Sequence, residues 1–110
     1  MKMVQAQLND VLVCTAEGEI NINTAVQLRK DFDEIIKNNH RKVLMNFSAV
    51  SYVDSSGLAT LIEMLQRLKK TGGKLRISNM DQKVKNIFEV TKLYKFFEIF
   101  ETQDLALKDF

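Results

Sequence analysis

A chain of 110 residues with 45% hydrophobic and 27% charged residues has the make-up of an ordinary folded protein, and its length suits one compact domain over residues 1–110. Its net charge of +2 comes from basic residues scattered among acidic ones, so the basic stripe of a nucleic-acid-binding surface is missing. No apolar run approaches the roughly 20 residues of a membrane helix, and the start, Met1-Lys2-Met3-Val4-Gln5, lacks the apolar region of a secretion signal. The single cysteine, Cys14, cannot form an internal disulfide and reads as a core residue within Val11-Leu12-Val13-Cys14. A cytoplasmic protein without membrane insertion is expected, monomeric when free because no excess apolar face is evident.

In chain order, the apolar segments Met3 to Leu8 and Val11 to Ala16 flank Asn9-Asp10, a pair suited to the tight turn of a hairpin. After Gly18-Glu19-Ile20-Asn21, either Asn23 or Thr24 is placed to cap a helix whose apolar positions Ala25, Leu28, Phe32, Ile35 and Ile36 share one face. Asn38-Asn39 ends it. Lys42 to Phe47 is too short for a typical helix, is followed by a polar break, and reads as a buried strand. From Leu58 a second helix carries Leu58, Leu61, Ile62, Leu65 and Leu68 on one face, pairs Glu63 with Arg67 on the other, and stops at Gly72-Gly73.

Lys74 to Ser78 alternates as a strand does. Met80, Val84, Ile87 and Phe88 then mark a third helix capped by Asn79 or Asp81. Phe97 to Phe100 is a short strand, and Thr102 caps a last short helix holding Leu105 and Leu107. The order ββαβαβαβα predicts an α/β fold, a mixed β-sheet covered by α-helices.

Catalytic and ligand-binding patterns are sparse. His40, the one histidine, has no metal-ligand partner at suitable spacing, and no phosphate-cradling loop of the P-loop or dinucleotide type occurs. Asp31, Asp33 and Glu34 lie on a solvated helix face. Asp54 and Ser55 lack the histidine that would turn a serine into a nucleophile, so catalytic residues are not assigned and the chain is not expected to be an enzyme.

One segment stands out: Asp54-Ser55-Ser56-Gly57, between the third strand and the second helix. Aspartate and serine are favoured caps because their oxygens accept free backbone N–H groups, worth about 1 kcal/mol. The same helix N-terminus would tolerate a phosphate on Ser55, which brings close to two negative charges to any partner fitted to a neutral hydroxyl. Asp54 would add to that negative patch. Gly57, without a Cβ, would let a partner approach closely.

The run from Val50 to Leu61, Val-Ser-Tyr-Val-Asp-Ser-Ser-Gly-Leu-Ala-Thr-Leu, resembles the signature of the STAS domain, in particular of bacterial anti-sigma factor antagonists. Gly18-Glu19-Ile20-Asn21 with Ala25 and Leu28 is similar to the start of the family's first helix, Gly72-Gly73-Lys74-Leu75 to its later turn, and Phe88 to Leu93 to its third helix and exit. The resemblance implies that Ser55 is phosphorylated by an anti-sigma factor that is also a serine kinase, and restored by a serine phosphatase. The unmodified chain would bind that anti-sigma factor and so release a sigma factor. ATP and magnesium would belong to the kinase, so no cofactor is implied here. Glu19, Ile20, Asn21, Asp54, Ser56, Gly57 and Leu58 would form much of the contact patch.

The chain departs from the family pattern in two places. Asn21 stands where many members carry aspartate, which removes a charge near the docking surface. Thr91-Lys92-Leu93 replaces Thr-Gly-Leu, where a different backbone is expected. A second reading keeps the fold but makes the chain a constitutive subunit of a lipid-transport or other signalling complex, with Ser55 only a cap.

Overall fold

The hairpin turn forms at Asn9-Asp10 in the computed structural model, which describes residues 1–110, and Asn9 takes the left-handed φ of 56° that asparagine tolerates. It joins β1 (Lys2–Leu8) to β2 (Val11–Ile20), and there follow α1 (Ala25–Lys37), β3 (Lys42–Val53), α2 (Ser55–Lys70), β4 (Lys74–Ser78), α3 (Gln82–Val90), β5 (Glu98–Phe100) and α4 (Gln103–Leu107). A short 3-10 turn at Leu93–Lys95 precedes β5. The strands form one sheet in the order β1-β2-β3-β4-β5, with β1 antiparallel to β2 and the remaining pairs parallel. Each parallel pair is joined through a helix, as the chain direction requires.

Alternation along the strands divides the sheet into two faces. Leu12, Cys14, Ala16, Val43, Met45, Phe47, Leu75 and Ile77 join the main core with Leu28 and Phe32 of α1, Leu61 and Leu68 of α2, and Val84 and Phe88 of α3. The intervening Val11, Val13 and Leu44 form a smaller core with Ala106 of α4, flanked by Phe100, Leu107 and Phe110. In α4 it is therefore Ala106 that is buried, whereas Leu105 is half exposed. Thr102 caps α4 as expected, accepting from the Leu105 amide at 3.2 Å.

Several boundaries move for physical reasons. β3 runs six residues past Phe47, because β2 continues beside it through Ile20. Two register shifts, at Thr15/Glu17 and Gly18/Glu19, keep Val50 and Val53 buried while Ser48, Ser51 and Tyr52 face out. The polar break after Phe47 is thus an irregular strand. Asp81, not Asn79, caps α3, accepting from the Val84 amide at 2.9 Å. Lys92 adopts φ 59° and ψ 18°, the left-handed conformation that glycine would take without steric cost, so the turn after α3 forms despite the substitution.

The expected Glu63–Arg67 pair within α2 is replaced by two bridges to the neighbouring helix. Arg29 of α1 meets Glu63 at 3.2 Å and Asp33 of α1 meets Arg67, because α1 and α2 pack side by side on the same face of the sheet. All four side chains are about one-third exposed or more, so these bridges contribute little stability.

Arg76, which alternation alone reads as an ordinary polar strand residue, is only 7% exposed. Its guanidinium donates to the carbonyls of Ala106, Lys108 and Asp109 at 2.9–3.1 Å, meets Glu98 at 3.2 Å, and lies over the rings of Phe100 and Phe110. It fastens the C-terminal segment to the sheet.

Cys14 is fully buried, and desolvation, assisted by the negative charge of Asp31, pushes its thiol up to about 12 from the ordinary 9.0. Because the folded value lies above the unfolded one, this contribution to stability is complete below pH 9.0 and is lost as the pH climbs toward about 12. Maleimide or iodoacetamide should leave Cys14 unmodified at pH 8 in the native chain and modify it promptly in denaturant. Equal rates in the two states, followed by mass spectrometry, would contradict the burial.

Candidate functional site

The C-terminal ends of β2 and β3 lie side by side, with Glu19 opposite Tyr52 and Ile20 opposite Val53, and the Asp54 amide donates to the Ile20 carbonyl at 3.0 Å. The chain then turns from β3 directly into α2. Asp54, in an extended conformation, is the N-cap: one carboxylate oxygen accepts from the Gly57 amide at 2.9 Å. Its other oxygen accepts from the Ile22 amide at 3.0 Å, in the loop between β2 and α1. Asp54 therefore ties that loop to the start of α2, and both of its oxygens are engaged inside the chain.

Capping by Asp54 starts α2 at Ser55, three residues before the position that the apolar periodicity marks. Ser55 is the first helical residue and is exposed. Gly57 has its amide bonded to the Asp54 side chain, and Leu58 bonds the Asp54 carbonyl at 2.9 Å. The amides of Ser55 and Ser56 have no partner in the chain, so two of the N–H groups that a helix start leaves free remain open beside the Ser55 hydroxyl. That is a suitable setting for an anion.

The facing loop is built by Asn21 and Thr24. Asn21 Oδ1 accepts from the amides of Asn23 and Thr24 at 2.9 and 3.1 Å, while the Asn21 amide and the Glu19 carbonyl both bond the Thr24 hydroxyl at 2.8 Å. Thr24 sits at the N-cap position of α1, yet its hydroxyl caps no helix amide and instead bonds Asn21 and Glu19 within the turn. An aspartate would accept the same bonds, so Asn21 preserves the turn and changes only the charge.

Of the predicted contact residues, Glu19 is exposed, and Asn21, Asp54 and Ser56 are partly exposed. Ile20, Gly57 and Leu58 are buried. A Cβ on Gly57 would stand 2.7 Å from both the Ile20 carbonyl oxygen and Ile20 Cγ2, and 3.0 Å from Val53 Cγ1. The close approach that this glycine permits is therefore to the chain's own β2, not to a partner. Ile20 and Leu58 lie beneath the surface that carries Ser55 and support it.

Sequence reasoning missed three exposed apolar side chains at this end of the molecule. Ile22 is 67% exposed in the loop held by Asp54, Val26 is 54% exposed in the first turn of α1, and Tyr52 is 46% exposed opposite Glu19. Ile22 was legible in principle, as an isoleucine alone among Asn21, Asn23 and Thr24.

Comparison with known proteins agrees with this architecture. The chain is 29% identical over 96 residues to the anti-sigma-B factor antagonist of Bacillus subtilis, covering 87% of this chain and 86% of the relative. The crystal structure of an anti-sigma factor antagonist from Mycobacterium paratuberculosis superimposes with a TM-score of 0.88 at 24% identity, over 96% of this chain and 90% of the other. The Bacillus cell fate determinant SpoIIAA in its phosphorylated form gives 0.74 at 18% identity, over 96% of each chain. These structural likenesses establish a shared fold. The sequence model of the STAS domain matches residues 2–106, nearly the whole chain, and the protein is a member of the STAS domain family.

Proposed function

We propose that the chain is an anti-sigma factor antagonist whose binding to an anti-sigma factor with serine kinase activity is switched by phosphorylation of Ser55. The observation that carries this reading is the exposed Ser55 hydroxyl at the first position of a capped helix, beside two unfilled amides and following Asp54, whose carboxylate holds the loop of the exposed Ile22. The names of the relatives support the choice of partner, since the protein from Bacillus subtilis is called an anti-sigma-B factor antagonist. Phosphate at Ser55 would be held by the helix N-terminus without unfolding it, and a serine phosphatase would reverse the change.

The contact surface in this reading consists of Glu19, Asn21, Ile22, Val26, Tyr52, Ser55 and Ser56. Ile20, Gly57 and Leu58 hold it in place from below. The apolar members supply area for binding, and the neutral Asn21 tunes partner choice by leaving out one negative charge. Asp54 holds the two parts of the surface together. The role is one of binding, with ATP and magnesium brought by the kinase.

Incubation with an anti-sigma factor kinase from the same organism and ATP, followed by peptide mass mapping, should place a single phosphate on Ser55. The Ser55→Ala chain should remain unmodified. Phosphate that persists in Ser55→Ala would overturn the assignment.

A further inference from the structure

The order of the sheet leaves β1 at one edge, with β2 on one side and a row of unpaired backbone groups on the other. Proteins usually guard such an edge with proline, inward charges, a bulge or a very short strand. β1 has none of these. It is seven residues long, reads Lys-Met-Val-Gln-Ala-Gln-Leu, carries its one charge at the first position, and pairs with β2 without a register shift from Lys2–Glu17 to Leu8–Val11. On one face of the strand, Val4, Ala6 and Leu8 are exposed, and they sit opposite Thr15, Val13 and Val11. Val11 and Val13 belong to the smaller core, so the exposed strip extends that core toward the edge.

We infer that this edge is a homodimer interface, in which the β1 strands of two copies pair antiparallel about a two-fold axis at Ala6 and join two five-stranded sheets into one. The occupant is a second copy because the strand is complementary to itself in this register. Within the strand, Val4 then lies opposite Leu8 of the second copy, Ala6 opposite Ala6, and Gln5 opposite Gln7, while Met3 and Lys2 face the turn residues Asn9 and Asp10. From Val4 to Leu8 apolar residues meet apolar ones and amides meet amides, and at the turn Lys2 approaches a carboxylate that is still 70% exposed beside Lys42. Moving the axis to Gln5 would set Lys2 against Leu8 and Met3 against Gln7, which loses the match. The pairing is isologous and closed, so it stops at two copies. Ser55 follows β3, two strands from the edge, and Glu19 of the same surface lies past the last β1–β2 pair, Lys2–Glu17, so the dimer leaves that surface open.

A single strand pair buries less than a standard interface of roughly 1,600 Å², so the dimer should be concentration-dependent and is best captured covalently. Opposed Cα atoms in an antiparallel pair lie about 4.5–5.5 Å apart, within disulfide range, whereas residues two positions out of register fall beyond the limit of about 7 Å. With oxidised glutathione as oxidant, two Ala6→Cys thiols from separate copies would give one disulfide and two reduced glutathione molecules. The buried Cys14 would not compete. At about 0.5 mM protein, Ala6→Cys should reach twice the 12.7 kDa chain mass at least tenfold faster than Gln5→Cys, because an interface this small needs a high concentration. Adding Val4→Lys to Ala6→Cys should slow the reaction tenfold while the circular dichroism spectrum stays native. Equal rates for Ala6→Cys and Gln5→Cys, no covalent dimer of either, or an unchanged rate with Val4→Lys would each overturn the inference.

Discussion

Phosphorylated Ser55 should weaken binding of the anti-sigma factor by roughly two to three orders of magnitude, while Ser55→Ala should bind within a few-fold of the unmodified chain. A misplaced dianion costs an interface of this kind about 3 to 4 kcal/mol, at 1.4 kcal/mol per decade of affinity. Ser55 is exposed and its hydroxyl is not needed to hold the helix, because Asp54 already caps α2. Removing the hydroxyl should therefore spare the fold. The phosphate, in turn, lies beside the free amides of Ser55 and Ser56, so the modified chain should unfold at the same temperature or slightly higher. Calorimetric titration against the same anti-sigma factor, with thermal melts in parallel, separates the two effects. Undiminished affinity of the phosphorylated chain would sink the switch and leave the constitutive-subunit reading in its place. A Ser55→Asp chain carries only one negative charge and should show a smaller loss.

The second large effect is expected from Gly57→Ala. In an exposed helix, replacing glycine by alanine commonly stabilises by up to about 1 kcal/mol. Here the new methyl would stand 2.7 Å from the carbonyl oxygen and Cγ2 of Ile20, a fully buried residue whose carbonyl already accepts from the Asp54 amide. Neither atom is the free end of a flexible side chain, so α2 must move off β2 or the strand end must shift. Overpacking of this kind costs about 1 to 3 kcal/mol, which outweighs the gain in propensity. The net loss of up to about 2 kcal/mol should lower the melting temperature by up to roughly 10 °C for a domain of this size. Ser56→Ala, one position earlier and only half-buried, should change it far less. A Gly57→Ala chain that melts at or above the parent temperature would show that the first turn of α2 is free to relax, and the tight packing of Gly57 on Ile20 would have to be abandoned.

The two predictions concern neighbouring residues with opposite roles, and that contrast shows what a reading of the sequence reaches. Both residues belong to one short motif, and the motif alone presents each as surface chemistry. Ser55 is on the surface. Gly57 is inside, because the ends of β2 and β3 are brought together by pairing between residues far apart in the chain. Likewise Glu63 and Arg67, spaced for an i, i+4 pair, each find a closer partner on α1.

Order and type of elements were legible in the sequence because they rest on local periodicity. Strand alternation at Leu75 and Ile77, the helical stripe from Leu58 to Leu68, and the turns at Asn9-Asp10 and Gly72-Gly73 all depend on residues within a few positions of each other. The cap Thr102 was legible for the same reason, Asp81 was one of two candidates, and the Asp54-Ser55 pair at the start of α2 carried the capping chemistry without fixing which residue supplies it. The hydroxyl there was legible too, and with it the resemblance to a family. Tertiary structure alone decided the rest. It set the length of β3, which β2 sustains beyond Phe47, and it gave both oxygens of Asp54 a partner, one of them 32 residues away. It also buried Arg76 under the C-terminal carbonyls, and separated the residues around Ser55 into exposed ones and buried ones that support them. The reason is the same in each case: burial and long-range hydrogen bonds depend on which surfaces the crossovers bring together, and no local spacing encodes that.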